Sequence, residues 1–441
     1  MNNMKMSNYR WTICALLFFA TTINYLDRQV LSLLKPLLSK EFGWTDSDYG
    51  TIVGVFSLAY AFSMLFAGRV IDYLGTKAGY AWSIILWSVG AIVHAFAHFI
   101  PSSILGFSLG RTVLAVGESG NFPAAIKTTA EYFPKKDRAL ATGIFNSGAN
   151  VGAILAPIVV PWIAEQWGWQ WAFIGIGAIG FIWLIFWLLL YEIPSKNRKL
   201  SPAEYEYIHS DEIQQHEPIE VEKVDEGRKF TYAECFKFKQ TWAFAFGKFM
   251  TDGVWWFFLF WLPAYFKAQY NMEGTAISLP IAVLYTITMV GSIGGGAFPT
   301  YFINKGYDAY TGRMKAMFVI ALFPLVVLLT PYLSQFSYWW AVALIAIGAS
   351  AHQAWSANIF TTVGDMFPKK AIATITGIGG MAGGIGSFLL SKGAGMLFDH
   401  YKEQGHIQTG YSIMFILCAV AYIIAWVVMK ALVPKMKPIE L

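Results

Sequence analysis

The chain has 441 residues, of which 56% are hydrophobic and only 13% are charged, and its formal net charge is +5. Soluble proteins carry about 25% charged residues. Because the shortfall runs along the whole chain, the composition excludes a soluble domain with a single membrane anchor. No basic nucleic-acid patch is present, and the three cysteines do not indicate a disulfide framework.

Apolar segments long enough to cross a bilayer, about 20 residues each, occur six times on each side of a polar stretch at 192–240. The sequence therefore predicts an all-α membrane protein of twelve transmembrane helices, with six-helix bundles at 1–191 and 241–441 joined by a linker at 192–240. The predicted spans lie near residues 11–34, 50–70, 80–100, 103–132, 138–164, 170–191, 241–267, 277–303, 313–332, 337–366, 371–398 and 408–432.

Charge predicts the orientation of these spans. If both termini lie inside, the short inside segments hold fifteen Lys or Arg residues, whereas the outside loops hold only Lys35, Lys40, Lys267 and Lys402. Cytoplasmic loops of membrane proteins carry such an excess, so both termini and the linker are predicted to be cytoplasmic. The first apolar segment lacks a small-residue cleavage site and contains two charged residues, so we expect a retained helix and not a signal peptide.

The two halves share a motif. The segment FPKKDRALATGI at 133–144 matches FPKKAIATITGI at 367–378 in eight of twelve positions, at an offset of 234 residues. Each copy lies between the fourth and fifth predicted spans of its half, which indicates a duplicated six-helix unit. The same offset places Ile345 opposite Arg111 and His352 opposite Glu118. The two charged residues therefore have no charged counterparts in the C-terminal half, and a charged path through the membrane is predicted to belong to the N-terminal half.

The first predicted span contains Asn24, Tyr25, Asp27 and Arg28. An ionisable group inside a span costs roughly 2.5–3.5 kcal/mol on insertion scales, so two of them suggest a role in substrate or proton binding. The guanidinium of Arg28 is a rigid fork that suits a carboxylate. Alternatively, Asp27 and Arg28 only neutralise each other or pair with another helix.

The fourth predicted span carries Arg111 and Glu118, two helical turns apart on one face. They are about 10 Å apart along the helix, too far for a direct ion pair. Arg111 cannot lose its charge, so we expect Asp27 to neutralise it. Glu118 can become neutral by taking up a proton, which makes it the better proton carrier, unless it forms a static structural salt bridge.

Other spans add polar side chains. Asn146 and Asn150 of the fifth span could bond sugar hydroxyls, although the glycines among them indicate close helix packing. Tyr60 of the second span has a polar tip on an apolar body, more typical of packing than of a ligand. A contribution from the C-terminal half is expected from the tenth span, through His352, Gln353, Trp355 and Ser356.

In the seventh span, Lys248 and Asp252 are one turn apart and are expected to pair. Three tryptophans that follow them could stack on a sugar ring, but core or interfacial packing is the simpler interpretation. The glycine-rich segment at 376–387 lacks the lysine and hydroxyl of a phosphate loop, so close helix packing explains it better.

Five segments together carry a resemblance to a known family: NYLDRQVLS, GRVIDYLGTKAGYA, GESGNFPAAIK, EYFPKKDRALATGIFNSGANVGAILAP and AHQAWSAN. They resemble the anion:cation symporter family of the major facilitator superfamily, and within it the hexuronate transporter branch. The resemblance implies two six-helix halves with a substrate site between them near the bilayer midplane. It also implies proton-driven uptake of glucuronate or galacturonate across a bacterial inner membrane. We expect a monomer whose partners are a sugar-acid anion, protons and lipid, with no cofactor or metal.

The resemblance also implies roles for individual residues. Asp27 and Glu118 match proton-coupling carboxylates, and Arg28 matches the arginine on the substrate carboxylate. The implied substrate site includes Tyr25 and Tyr60 near Arg28, and Arg111, which matches the arginine that pairs within the charge network. Asn146 and Asn150 are included because they lie on the fifth helix, where the family often uses a polar amide. Residues of the loop after the second span resemble the superfamily's inward gate: Gly68, Asp72, Gly75 and Lys77. Tyr73 and Thr76 stand where basic residues are usual, which indicates that the contacts that hold the inward gate are weaker or different here.

Other functions remain open from the sequence. A carrier of another organic anion, such as an aldonate, or an exchanger without net proton flux would share most of these features. A drug exporter would be expected to carry fewer cations in its spans. A membrane sensor that signals through the linker is a further alternative, although the linker has an ordinary length. No nucleophile–base or metal-ligand constellation predicts an enzyme.

Overall fold

The computed structural model describes residues 6–210, 231–367 and 369–435, and within these residues it is helical and contains no strand. The described part of the N-terminal half comprises seven helices, and its third span ends in the 3-10 helix His94–Phe99. These helices are α1 (Tyr9–Phe42), α2 (Asp46–Leu74), α3 (Thr76–Val93), α4 (Ser103–Glu118), α5 (Asn121–Tyr132), α6 (Lys135–Trp167) and α7 (Trp169–Leu190).

The predicted linker contains a 3-10 turn and two short helices, and its residues 211–230 lie outside the described residues. Two further 3-10 helices, Gly274–Ile277 and Phe323–Leu329, lie in the C-terminal half. The remaining elements are α8 (Pro202–Ile208), α9 (Tyr232–Cys235), α10 (Lys239–Tyr270), α11 (Ser278–Ile303), α12 (Ala309–Leu322), α13 (Thr330–Leu333), α14 (Tyr338–Met366), α15 (Lys369–Glu403) and α16 (Ile407–Leu432).

The prediction of an all-α protein with twelve transmembrane helices is confirmed. One predicted span, 103–132, is divided into α4 and α5 at Ser119 and Gly120. Gly120 lies so close to α3 that a Cβ there would overlap the hydroxyl of Ser83. In the described part of the chain, eight helices are apolar and long enough to cross a membrane by length and composition. Those eight do not include α1, α4, α10 or α14, which carry buried charged or histidine side chains.

The repeated motif coincides with equivalent structural positions. In the N-terminal half α5 ends at Tyr132 and α6 begins at Lys135, and in the C-terminal half α14 ends at Met366 and α15 begins at Lys369. Both boundaries are therefore related by the same offset of 234 residues as the motif. The equivalence agrees with a duplicated helical unit.

The bundle has two ends, which we name the linker end, where α1 begins and α16 finishes, and the far end, where α1 leads into α2. Contacts between the halves close the far end. Asp399 of α15 accepts hydrogen bonds of 2.7 Å from the backbone N–H groups of Asp46 and Ser47 at the start of α2. Lys392 donates to the hydroxyls of Ser47 and Thr51 at 2.8 and 2.7 Å. Movement of the halves at this end must break these bonds.

The linker is attached to the start of α1 through Glu204 of α8. Its buried carboxylate accepts hydrogen bonds from the backbone N–H groups of Tyr9 and Arg10, at 2.9 and 3.1 Å, and from the Arg10 guanidinium. Burial raises the pKa of the Glu204 carboxyl, but these bonds and one from Ser7 outweigh burial and hold the pKa below its usual range. The carboxylate therefore caps the N-terminus of α1.

The glycine-rich segment at 376–387 lies in α15, and the prediction of close helix packing is confirmed. A Cβ on Gly386 would overlap the backbone carbonyl oxygen of Phe249 in α10, and one on Gly379 would overlap the ring of Phe244. On the other side of α15, a Cβ on Gly384 would overlap the methyl group of Ala61 in α2. The segment therefore lets one helix approach α10 and α2 closely.

We expect Gly386→Ala to destabilise the protein, because the added methyl group meets backbone and cannot be accommodated by a side-chain rotation. Overpacking of this kind costs about 1–3 kcal/mol. Gly393→Ala in the same helix is a matched control, since a Cβ there has no atom within 4 Å. Thermal unfolding of the purified variants in detergent measures the difference, and equal unfolding temperatures would contradict the packing described here.

Candidate substrate and proton site

The centre of the candidate site is a buried ion pair between Arg28 of α1 and Glu118 of α4. The Arg28 Nε and Nη2 atoms donate to one carboxylate oxygen, Oε2 of Glu118, at 2.8 and 2.6 Å. Arg28 is 4% exposed and Glu118 is 0% exposed. Nη2 also lies 3.4 Å from the side-chain oxygen of Asn24, which is one helical turn earlier on the same face of α1. Two helices therefore meet at a pair of opposite charges removed from water.

Four aromatic rings surround the Arg28 guanidinium. Its Cζ atom lies 4.8 Å from the ring centroid of Tyr25, 5.0 Å from Tyr60 and 5.5 Å from Phe56. The fourth ring is Trp256 of α10, at 5.1 Å. Because Trp256 belongs to the C-terminal half, Arg28 lies at the interface between the halves. The rings attract the cation and limit the directions from which an anion can approach it.

Arg111 of α4 lies beside this pair and is almost completely buried. Its Nη1 atom donates to the backbone carbonyl oxygen of Arg28 at 3.1 Å. Its Cζ atom is 5.2 Å from the ring of Phe56 and 5.6 Å from Phe260. Among the described residues, the Nε and Nη2 atoms of Arg111 have no hydrogen-bond partner. Arg111 thus fixes the backbone at Arg28 and retains donors that an incoming anion could use.

The structure differs from the expectation that Asp27 neutralises Arg111 by direct pairing. Asp27 is 2% exposed, and neither of its carboxylate oxygens has a hydrogen-bond partner within the described residues. The reason for the difference is that the Arg111 guanidinium is directed to the carbonyl group of residue 28.

The tenth-span candidates lie on α14 and divide into two groups. His352 accepts or donates a hydrogen bond of 2.9 Å with the Tyr422 hydroxyl of α16 and stacks on Trp255 at a centroid distance of 5.4 Å. Trp355 is fully buried, with its ring edge against Tyr422. These two side chains pack within the C-terminal half, away from the rings that enclose Arg28. Gln353 and Ser356 are partly buried.

The fifth-span asparagines lie on α6, where Asn146 is exposed and Asn150 is partly buried. The glycines near them pack against α1: a Cβ on Gly148 would overlap the Phe18 carbonyl oxygen, and one on Gly152 would lie 2.5 Å from the Thr22 carbonyl oxygen. The glycines therefore serve close packing, as the sequence indicated. The asparagines are accessible, and their contact with a substrate stays a prediction.

The expected pair in the seventh span is present: Lys248 Nζ lies 2.7 Å from Oδ2 of Asp252. The tryptophans that follow have different surroundings. Trp255 stacks on His352, and Trp261 packs edge-on against Tyr49. Only Trp256 of the three is in ring contact with Arg28 among the described residues.

The predicted gate residues form their described contacts with the N-terminal half and with the start of the linker. Asp72 pairs with Lys127 of α5 at 2.8 Å, and Lys77 pairs with Glu192 at 2.9 Å. Gly75 joins α2 to α3 with a φ of +79°, a conformation that favours glycine. Gly68 lies near the end of α2 with open space around its Cα. A gating role for these residues stays a prediction.

Sequence reasoning missed Phe56 and Phe260 beside the arginines, and it treated Trp256 only as one of three tryptophans that could stack on a sugar ring. The sequence carried a partial signal, because Trp256 follows Asp252 by one turn and Phe260 follows Trp256 by another. Helical spacing of this kind predicts a shared face. It did not identify the partner of that face, since the approach of α10 to α1 depends on the packing of the two halves.

Comparison with known proteins agrees with this architecture. The Major Facilitator Superfamily profile matches residues 17–391 of the chain. The chain belongs to the major facilitator superfamily. As a member of this superfamily, it is 30% identical to the hexuronate transporter of Escherichia coli (strain K12), over 97% of this chain and 95% of that protein. It is 31% identical to the galacturonate transporter of Dickeya chrysanthemi, over 68% of this chain and 84% of that protein. The resemblance to the hexuronate transporter branch is thereby confirmed.

Solved structures of other transporters share the fold. A bacterial homologue of the human lysosomal transporter Spinster aligns with a TM-score of 0.75 at 18% identity, over 98% of this chain and 99% of that chain. At this identity the likeness concerns the fold alone. This chain is therefore a multi-pass bacterial membrane protein of the major facilitator superfamily, and its curated relatives are transporters and not enzymes.

Proposed function

We propose that this protein imports a hexuronate, glucuronate or galacturonate, together with protons, by alternating access. The observation that carries the proposal is the buried ion pair of Arg28 and Glu118 at the interface between the halves. A guanidinium is suited to bind the carboxylate of a sugar acid. The names of the relatives in Escherichia coli and Dickeya chrysanthemi support this substrate class.

The proposed coupling is a competition for Arg28. Glu118 occupies two guanidinium donors of Arg28, Nε and Nη2. A substrate carboxylate that takes these donors leaves Glu118 buried without its partner, and a buried unpaired carboxylate is costly. Glu118 therefore takes up a proton as the substrate binds. Asp27, buried one residue before Arg28 and without a hydrogen-bond partner among the described residues, is the second proposed proton carrier.

Alternating access exposes this site to each side of the membrane in turn. Lys and Arg residues are concentrated near the linker end, and by the positive-inside rule we assign this end to the cytoplasm. The far end then faces outwards, and the bonds of Asp399 and Lys392 to the start of α2 hold it closed. Opening to the outside requires these bonds to break. We place the protein in the inner membrane with both termini cytoplasmic.

Uptake into proteoliposomes with an imposed pH difference tests the proposal. Acidification of the outside should accelerate uptake of radiolabelled glucuronate or galacturonate and drive it above the external concentration. A protonophore should abolish this accumulation. Uptake that is indifferent to both treatments would contradict symport and would instead favour an exchanger. No uptake of either uronate, with uptake of an aldonate, would contradict the proposed substrate.

A further inference from the structure

A further ion pair, Lys248–Asp252 of α10, lies in the C-terminal half, one helical turn before Trp256. The proposed coupling does not use it. Asp252 is one helical turn, about 6 Å, from Trp256, whose ring contacts Arg28. Asp252 lies between Trp256 and the linker end. The pair is therefore within reach of a sugar acid whose carboxylate is bound at Arg28.

The packing of α15 also places Asp252 near the interface between the halves. A Cβ on Gly383 would overlap the carboxylate of Asp252, and a Cβ on its neighbour Gly384 would overlap the methyl group of Ala61 in α2. Ala61 follows Tyr60, whose ring lies 5.0 Å from Arg28. Asp252 thus lies beside the interface between the halves, one helical turn from the ring of Trp256 that contacts Arg28.

The two members of the pair differ in access to this interface. The Lys248 side chain is 5% exposed and lies over the ring of Phe360 at 4.2 Å, inside the C-terminal half. The Asp252 side chain is 15% exposed. The charge that this part of the C-terminal half presents to a substrate is therefore the carboxylate, and the ammonium group behind it is already neutralised.

We propose that Asp252 is a specificity-determining residue that restricts transport to sugar acids with a single carboxylate. This inference rests on the proposed function. Its carboxylate accepts hydrogen bonds from the hydroxyl groups at the neutral end of a uronate. A second carboxylate at that end, as in an aldarate, is repelled by the negative charge of Asp252. Lys248 does not compensate for this repulsion, because its ammonium group is already paired with Asp252. Like-charge juxtaposition is an effective way to exclude a related ligand.

The variant Asp252→Asn tests the proposal in proteoliposomes supplied with radiolabelled D-glucuronate or D-glucarate. The amide keeps the size of the side chain and can still bond a hydroxyl group, but it removes the repulsion and frees Lys248. The ratio of glucarate to glucuronate uptake should rise roughly tenfold or more over the parent. An unchanged ratio in a variant that still imports glucuronate would overturn the proposal.

Two further variants complete the test. Glu273→Gln removes an exposed acid that pairs with Lys267 at 2.8 Å near the far end, and the uptake ratio should remain that of the parent. The double variant Lys248→Met with Asp252→Asn should lose the gained glucarate uptake, because the cation that binds the second carboxylate is gone. A gain that survives in the double variant would overturn the role of Lys248.

The parent protein provides a measurement that does not depend on the folding of a variant. The monomethyl ester of D-glucarate has almost the size of glucarate but a single charge. It should compete with glucuronate uptake at least about tenfold better than glucarate does, and equal competition would overturn the proposal. A parent that imports neither glucuronate nor galacturonate would instead contradict the proposed function itself.

Discussion

Replacement of Arg28 by lysine should nearly abolish binding and uptake of glucuronate, although the charge is kept. The guanidinium uses two nitrogen atoms, Nε and Nη2, toward one carboxylate, and an ammonium group cannot reproduce this planar geometry. A hydrogen bond to a charged group contributes about 1.5–3 kcal/mol, so affinity should fall at least about tenfold. Binding is measured by isothermal titration of the purified variant.

The matched control for this exchange is Arg10→Lys. Arg10 is also buried and donates to a carboxylate, that of Glu204 at 3.0 Å, but it lies at the linker end outside the candidate site. The control should bind glucuronate within about twofold of the parent, a difference of less than 0.5 kcal/mol. If Arg28→Lys behaves like this control, Arg28 is a structural residue and the assignment of the substrate carboxylate to it is wrong.

Replacement of Glu118 by glutamine should separate binding from proton coupling. Glutamine has nearly the shape of the protonated acid but cannot release a proton, and it does not compete as an anion for Arg28. The variant should keep glucuronate binding and substrate-for-substrate exchange. It should lose the accumulation of substrate that an imposed pH difference drives in the parent. Both activities are measured in the same proteoliposomes, with Glu273→Gln as the control that keeps accumulation.

Accumulation of substrate by Glu118→Gln would show that Glu118 is not the coupling residue. Asp27 would then be the candidate, tested by Asp27→Asn. The structure changes the expectation for that variant. The sequence suggested that loss of Asp27 would leave Arg111 without a partner, but Arg111 instead donates to the Arg28 carbonyl oxygen. Asp27→Asn should therefore fold as well as the parent, with an unfolding free energy within about 1 kcal/mol.

The fold was predictable from the sequence because each feature depends on local or repeated patterns. Twelve apolar segments and the repeat at 133–144 and 367–378 gave the helices and their duplication within a few residues. Breaks inside spans were not predicted, since the turn at Ser119 and Gly120 depends on the approach of Ser83 from α3. Only the packed structure shows which helix comes close enough to require a residue without a side chain.

Most of the residues that form the candidate site could be predicted from the sequence, but the side chains that pair across helices could not. Asn24 and Arg28 share a face, and Lys248 pairs with Asp252, because spacing along one helix determines both contacts. The partners across helices were left open, since the sequence allowed Arg28 to pair with another helix and Glu118 to form a salt bridge but identified neither partner. Glu118 pairs with Arg28, and His352 lies against Tyr422, because helix rotation and the packing of the two halves determine these contacts.

The most direct test of the proposed competition for Arg28 is the number of protons taken up when substrate binds. Titration of the purified protein with glucuronate near pH 7, in buffers that differ in ionisation enthalpy, measures this number. Displacement of Glu118 from Arg28 should transfer about one proton from the buffer for each glucuronate bound, and the Glu118→Gln variant should transfer fewer. A binding enthalpy that does not change with the buffer would contradict the account.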